Sequence, residues 1–92
     1  MHIAPGFLIR QVAGENLAIP SGESAHRLSG LMVLNGSGKF LFELLQTERS
    51  AQDLIDAMMK EYDVDASTAQ ADVEEFLDIL RRNNVLIEST QV

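Results

Sequence analysis

Ninety-two residues suit a single domain with a core of its own, expected to span the whole chain, with its packed part at about residues 5–87 and frayed ends. The absence of cysteine excludes disulfides, iron–sulfur clusters and thiolate zinc sites. A net charge of −7, from 7 Lys and Arg against 14 Asp and Glu, repels phosphate backbones and anionic lipid headgroups, so neither nucleic acid nor a membrane is an expected partner.

No apolar run reaches the length of a membrane span, and the start of the chain, Met1 to Gly6, lacks a basic region followed by an apolar one, so the sequence reads as cytoplasmic. Phe7 to Val12 and Leu17-Ala18-Ile19 predict two antiparallel strands around a loop, Ala13-Gly14-Glu15-Asn16. A polar stretch from Ser21 to Ser29 leads to a third strand at Leu31 to Leu34, which places all regular β structure in the first third.

Asn35 is the expected N-cap of a first helix, because its short side chain accepts from the free N–H groups of the first turn. Gly36 and Gly38 weaken that turn, Phe40, Leu41, Leu44 and Leu45 form its buried face, and Phe42 points partly elsewhere. Ser50-Ala51-Gln52-Asp53 predicts a capping box for helix two, whose Leu54, Met58 and Tyr62 form one row and Ile55 and Met59 the next. Asp63-Val64-Asp65 breaks that helix, and either Asp65 or Ser67 caps a third. Helix three buries Ala69, Val73, Phe76, Leu77 and Leu80, carries Arg81 and Arg82 near its C-terminus, and stops at Asn83 or Asn84 in a left-handed conformation. Val85-Leu86-Ile87 then packs back onto the body.

Strand, strand, strand, helix, helix, helix is an α+β order (βββααα), a three-stranded antiparallel sheet followed by a three-helix bundle, similar to a winged helix-turn-helix. Pro5-Gly6-Phe7, Pro20-Ser21-Gly22, Gly30-Leu31-Met32-Val33-Leu34-Asn35, Phe40-Leu41-Phe42-Glu43-Leu44-Leu45, Glu61-Tyr62-Asp63-Val64 and Asp72-Val73 with Phe76-Leu77 and Leu80 together resemble the PqqD family, also described as RiPP recognition elements. Two departures are Phe42, where many relatives carry Trp, and the flexible helix start Gly36-Ser37-Gly38. The resemblance implies a non-catalytic domain, needing no cofactor or metal, that binds the leader segment of a ribosomally made precursor peptide. It also implies a partner enzyme, a radical S-adenosylmethionine maturase in the pyrroloquinoline quinone pathway and other peptide-modifying enzymes elsewhere.

The resemblance places the receiving edge at Leu31, Met32, Val33 and Leu34, where a leader adds as a fourth strand through its main chain. Either Leu31 and Val33 or Met32 and Leu34 enter the core, and the other pair lines a groove. Leu31 and Val33, with Phe76 and Leu80, are the expected core set. Helix three is expected to form the opposite wall, on the flank of Asp72, Glu75, Ile79 and Asn83 rather than that of Leu77 and Asn84, with Phe76 of the core row also expected to meet the peptide. Ile79 there is an apolar floor, and Asp72 and Glu75 can meet a basic leader residue or an N–H group.

Other patterns carry less. Asp63, Asp65, Ser67 and Glu74 fall at EF-hand ligand spacing, but Thr68 stands where the loop's sharp turn needs glycine, and helix capping accounts for the acids. His2 and His26 have no thiolate partner, and Ser24, Ser29 and Ser37 offer little for a nucleophile–base system. DNA binding by a winged helix is opposed by Asp72, Glu74, Glu75 and Asp78 on the presumptive recognition helix. A homodimer through the free edge strand uses the same surface as a leader peptide.

Overall fold

The computed structural model describes residues 1–21 and 32–88. Strand β1 (His2–Ile3) is followed by β2 (Phe7–Val12), β3 (Glu15–Pro20) and β4 (Met32–Leu34), then by helices α1 (Gly36–Leu44), α2 (Ala51–Tyr62) and α3 (Ala66–Arg82), and finally by β5 (Leu86–Ile87). The architecture is α+β, a three-stranded antiparallel sheet in the order β2-β3-β4 followed by three helices. No helix among the described residues is long and apolar enough to cross a membrane.

The hairpin turn is tighter than the sequence suggests. Only Ala13 and Gly14 separate β2 from β3, with φ of 53° and 82°, and Glu15 already pairs with Val12. Positive φ at both central residues matches the twist of the flanking strands; glycine takes it freely, whereas Ala13 does so at a steric cost. At the other end of the hairpin, the Ser21 N–H and hydroxyl both donate to the Gly6 carbonyl (2.7 and 2.8 Å).

Alternation along the strands sorts the sheet into two faces. Ala18 and Leu34 are buried, and Phe7, Ile9 and Met32 pack on the same core, whereas Leu8, Val12 and Val33 are exposed on the opposite face. Val33 therefore does not enter the core as expected: Met32 pairs with Ala18, Leu34 with Asn16, and Val33 falls between them, pointing outward. Leu31, its expected companion, lies outside the described residues.

Each helix starts on a short polar side chain. The Asn35 side chain accepts from the Gly38 N–H (2.7 Å), Ser50 and Asp53 form the expected capping box, and Asp65 rather than Ser67 caps α3 by accepting from the Thr68 N–H. Asp65 lies one residue before the first helical position, where extended backbone can hold an acceptor over the first turn, while Ser67 is already inside the helix. The C-terminus of α3 places Asn84 at φ 59°, with Asn83 as the cap.

Leu41, Leu45, Leu54, Met58, Ala69, Val73, Leu77, Leu80 and Val85 form the buried centre. Phe42 joins them, fully buried and edge-on to Phe7 with ring centroids 5.9 Å apart, so the expectation that it points aside is corrected. Helix α1 is sandwiched between sheet and helices, so its buried surface is wider than a single i, i+4 row.

A second sheet was not visible in the local pattern. Strands β1 and β5 pair antiparallel, His2 with Ile87 and Ile3 with Leu86, so β structure is not confined to the first third. The start of the chain is not frayed. Ile3 and Ala4 are buried, the Ile3 N–H donates to the Leu45 carbonyl and the Ala4 N–H to that of Val85 (both 2.8 Å), and the Met1 ammonium meets the Glu48 carboxylate and the Arg49 carbonyl.

Candidate functional site

Strand β4 ends the three-stranded sheet, and among the described residues it pairs only with β3. Its other edge faces α3 across a groove. The part nearest the strand is a small cavity of about 90 Å³ lined by Met32, Val33, Leu34, Asn35, Gly38, Phe76 and Ile79. A larger cavity of about 250 Å³ continues from it, lined by Asn35, Ser37, Gly38, Leu41, Asp72, Glu75, Phe76 and Ile79. The two share Asn35, Gly38, Phe76 and Ile79 and form one trough.

The trough follows from local structure. Asp72, Glu75, Phe76 and Ile79 recur at spacings of three and four and so occupy one flank of α3. Phe76 is the deepest, at 8 % exposure, and Ile79 is half-buried beside it. Asp72 and Glu75 are exposed, and neither forms a hydrogen bond or ion pair with any described residue. Their neighbours differ: Glu74 accepts from Gln70, and Asp78 pairs with Arg82.

Of the candidate residues, the structure brings Met32, Val33, Leu34, Asp72, Glu75, Phe76 and Ile79 to one trough. Asn83 is not among its lining residues. Its amide turns back to donate to the Ile79 carbonyl (2.8 Å), which also accepts the Asn83 backbone N–H (3.2 Å), so the side chain is spent on closing the last turn of the helix. On the α1 side, sequence reasoning missed residues 35–38 as a wall. The signal was the second glycine: a Cβ at Gly38 would lie 3.0 Å from the Asn35 Oδ1 and 3.4 Å from the Phe76 ring, so glycine lets the capped turn close down beside Phe76. It shapes the groove as well as weakening the helix.

Nothing in the trough suggests bond chemistry. Among the described residues its lining contains no histidine, lysine or nucleophile–base pair, and no group of three or more His, Asp or Glu converges as a metal site. Of the acids at EF-hand spacing, Asp65 caps α3, and Glu74 lies within it. What the groove offers is an open strand edge, an apolar floor and two carboxylates.

A family model described as coenzyme PQQ synthesis protein D (PqqD) matches residues 21–86. The chain belongs to the PqqD family. Its matched span holds β4, all three helices and therefore both walls of the groove, while the β2–β3 hairpin precedes it. Among solved structures, TbiB1 in complex with the TbiA(beta) leader peptide is similar over 99% of this chain and 100% of that one, with a TM-score of 0.73 at 21% identity. This PqqD-family chain therefore shares the fold of TbiB1. Comparison with curated proteins gives no match.

Proposed function

We propose that this protein is a non-catalytic peptide-binding module that holds the leader segment of a ribosomally synthesised precursor peptide and presents it to a modifying enzyme, such as a radical S-adenosylmethionine maturase. The observation that carries the reading is the edge of β4, unpaired among the described residues, facing the Phe76–Ile79 flank of α3 across a groove. An extended peptide satisfies the unpaired main-chain groups of that edge, and its alternate side chains fall against the helix. Support comes from membership of the PqqD family and from the shared fold with TbiB1, which was solved with a leader peptide.

Leu31, Met32, Val33 and Leu34 act in this reading mainly through their backbone. Phe76 and Ile79 form the floor, Asp72 and Glu75 the rim, and Asn83 holds the end of the helix wall rather than the peptide. Titration of the chain with a precursor leader peptide is expected to give a one-to-one complex with slowed amide exchange along Met32, Val33 and Leu34. Protection confined to other strands would overturn the edge-strand reading. The same free edge also suits a second copy of the chain, so a dimer seen by sizing should dissociate when the leader is added.

A further inference from the structure

The two halves of the groove differ in chemistry, and that difference bears on which peptides it accepts. The small cavity beside β4 has Met32, Leu34, Phe76 and Ile79 in its lining and suits a branched aliphatic side chain. The larger one adds Asp72 and Glu75, and among the described residues no cation pairs with them: Lys39 pairs with Glu43, Arg81 with Glu88 and Arg82 with Asp78. The α1 terminus at the same place does not reverse the sign, because the Gly38 N–H and the Ser37 hydroxyl both donate to the Asn35 side chain. An anionic ligand group would find those donors occupied and two carboxylates opposite.

Alternate residues of an extended peptide stand about 7 Å apart on one face, and the two compartments adjoin, sharing Asn35, Gly38, Phe76 and Ile79. Resting on the proposed function, we infer that the site selects a leader in which an apolar side chain and a Lys or Arg are separated by one residue. The apolar side chain enters the pocket between Phe76 and Ile79, and the cationic one reaches Asp72 and Glu75. The acidic compartment lies past the C-terminal end of β4, beside the first turn of α1. A leader running antiparallel to β4 therefore carries its basic residue on the N-terminal side of the apolar one, and a parallel leader carries it on the C-terminal side.

The test selects short random peptides displayed on phage against the full chain, against the double variant Asp72→Asn, Glu75→Gln, and against Ile79→Glu. Wild type should enrich an apolar residue with Lys or Arg two positions away, and the double variant should keep the apolar preference and lose the basic one. A selected peptide with its lysine acetylated should bind wild type about fivefold more weakly and the double variant equally well. Apolar enrichment that depends on Ile79 but shows no basic preference overturns this inference and leaves the groove assignment standing. Enrichment that is indifferent to Ile79 overturns the groove assignment itself. Both carboxylates are exposed and unpaired, so the double variant should melt as wild type does, which separates lost selectivity from lost fold.

Discussion

The strand third and the helical two-thirds of this chain are built to different rules. Up to Asn35, Arg10 and Arg27 balance Glu15 and Glu23, so the whole net charge of −7 lies in residues 36–92. The helices also hold most of the fully buried side chains and have all three N-termini capped, whereas the sheet leaves Leu8, Val12 and Val33 exposed and, among the described residues, one edge of β4 unpaired. Stability thus resides mainly in the helices, and recognition at the seam where the sheet meets them. An open edge can be kept because α3 stands over it and limits what can approach.

The sharpest way to break that division is at the one aromatic pair that joins the two parts. Phe42→Ala removes a fully buried ring that packs on Phe7, and chemical denaturation should show a loss of about 3–5 kcal/mol, a large part of the stability of a small domain. A small loss would mean that sheet and helices are stable independently.

Ile79→Glu separates recognition from stability. Ile79 is half-buried on the groove flank, so melting should change by about 1 kcal/mol or less, while leader affinity falls by about 1–3 kcal/mol, five- to more than a hundredfold in Kd, through the cost of desolvating the new charge against the peptide. Equal affinity would move the binding surface away from α3. Val33→Thr tests the same strand at the lining residue whose side chain stands on the exposed face of the sheet. At 61% exposure, the change should alter stability and leader affinity by no more than about 0.5 kcal/mol, provided that β4 acts through its backbone.

The smallest effect concerns pH. The Ser50 backbone N–H holds the Asp53 carboxyl below 3.8, and the Thr68 N–H does the same for Asp65. A carboxyl depressed in the folded state stabilises the fold fully above its unfolded value and loses that contribution as pH falls through the lower folded value. Acid titration followed by far-ultraviolet circular dichroism should therefore show weakening only below about pH 4. Asp65→Asn keeps an acceptor at the cap without a titrating group and should flatten that acid limb; an unchanged limb would mean that capping contributes nothing to acid sensitivity.

What the sequence disclosed was what short-range chemistry controls. Asn35, the Ser50–Asp53 box and the row Ala69, Val73, Phe76, Leu77 and Leu80 each depend on neighbours within a turn or two, and each stands as the pattern indicates. The choice between the pairs at β4 needed the register against β3, since a shift of one residue exchanges Val33 with Leu34. Phe42 was misread because α1 is covered from two sides, which no single helical stripe conveys. On the α3 side the spacing of Asp72, Glu75 and Ile79 put them on one flank, but which flank faces β4 depends on how the helix packs. On the α1 side the groove was not legible, because the meaning of Gly38 depends on Phe76, far along the chain.

The pairing of β1 with β5 has a mechanical consequence. His2 lies opposite Ile87 and Ile3 opposite Leu86 in antiparallel register, so tension applied to the two ends of the described chain acts across the ladder rather than along it. Such a ladder opens like a zipper, one pair at a time, and resists far less than strands sheared along their length. Force transmitted through a tether at either end should open this clasp first and reach β4 and α3 only afterwards.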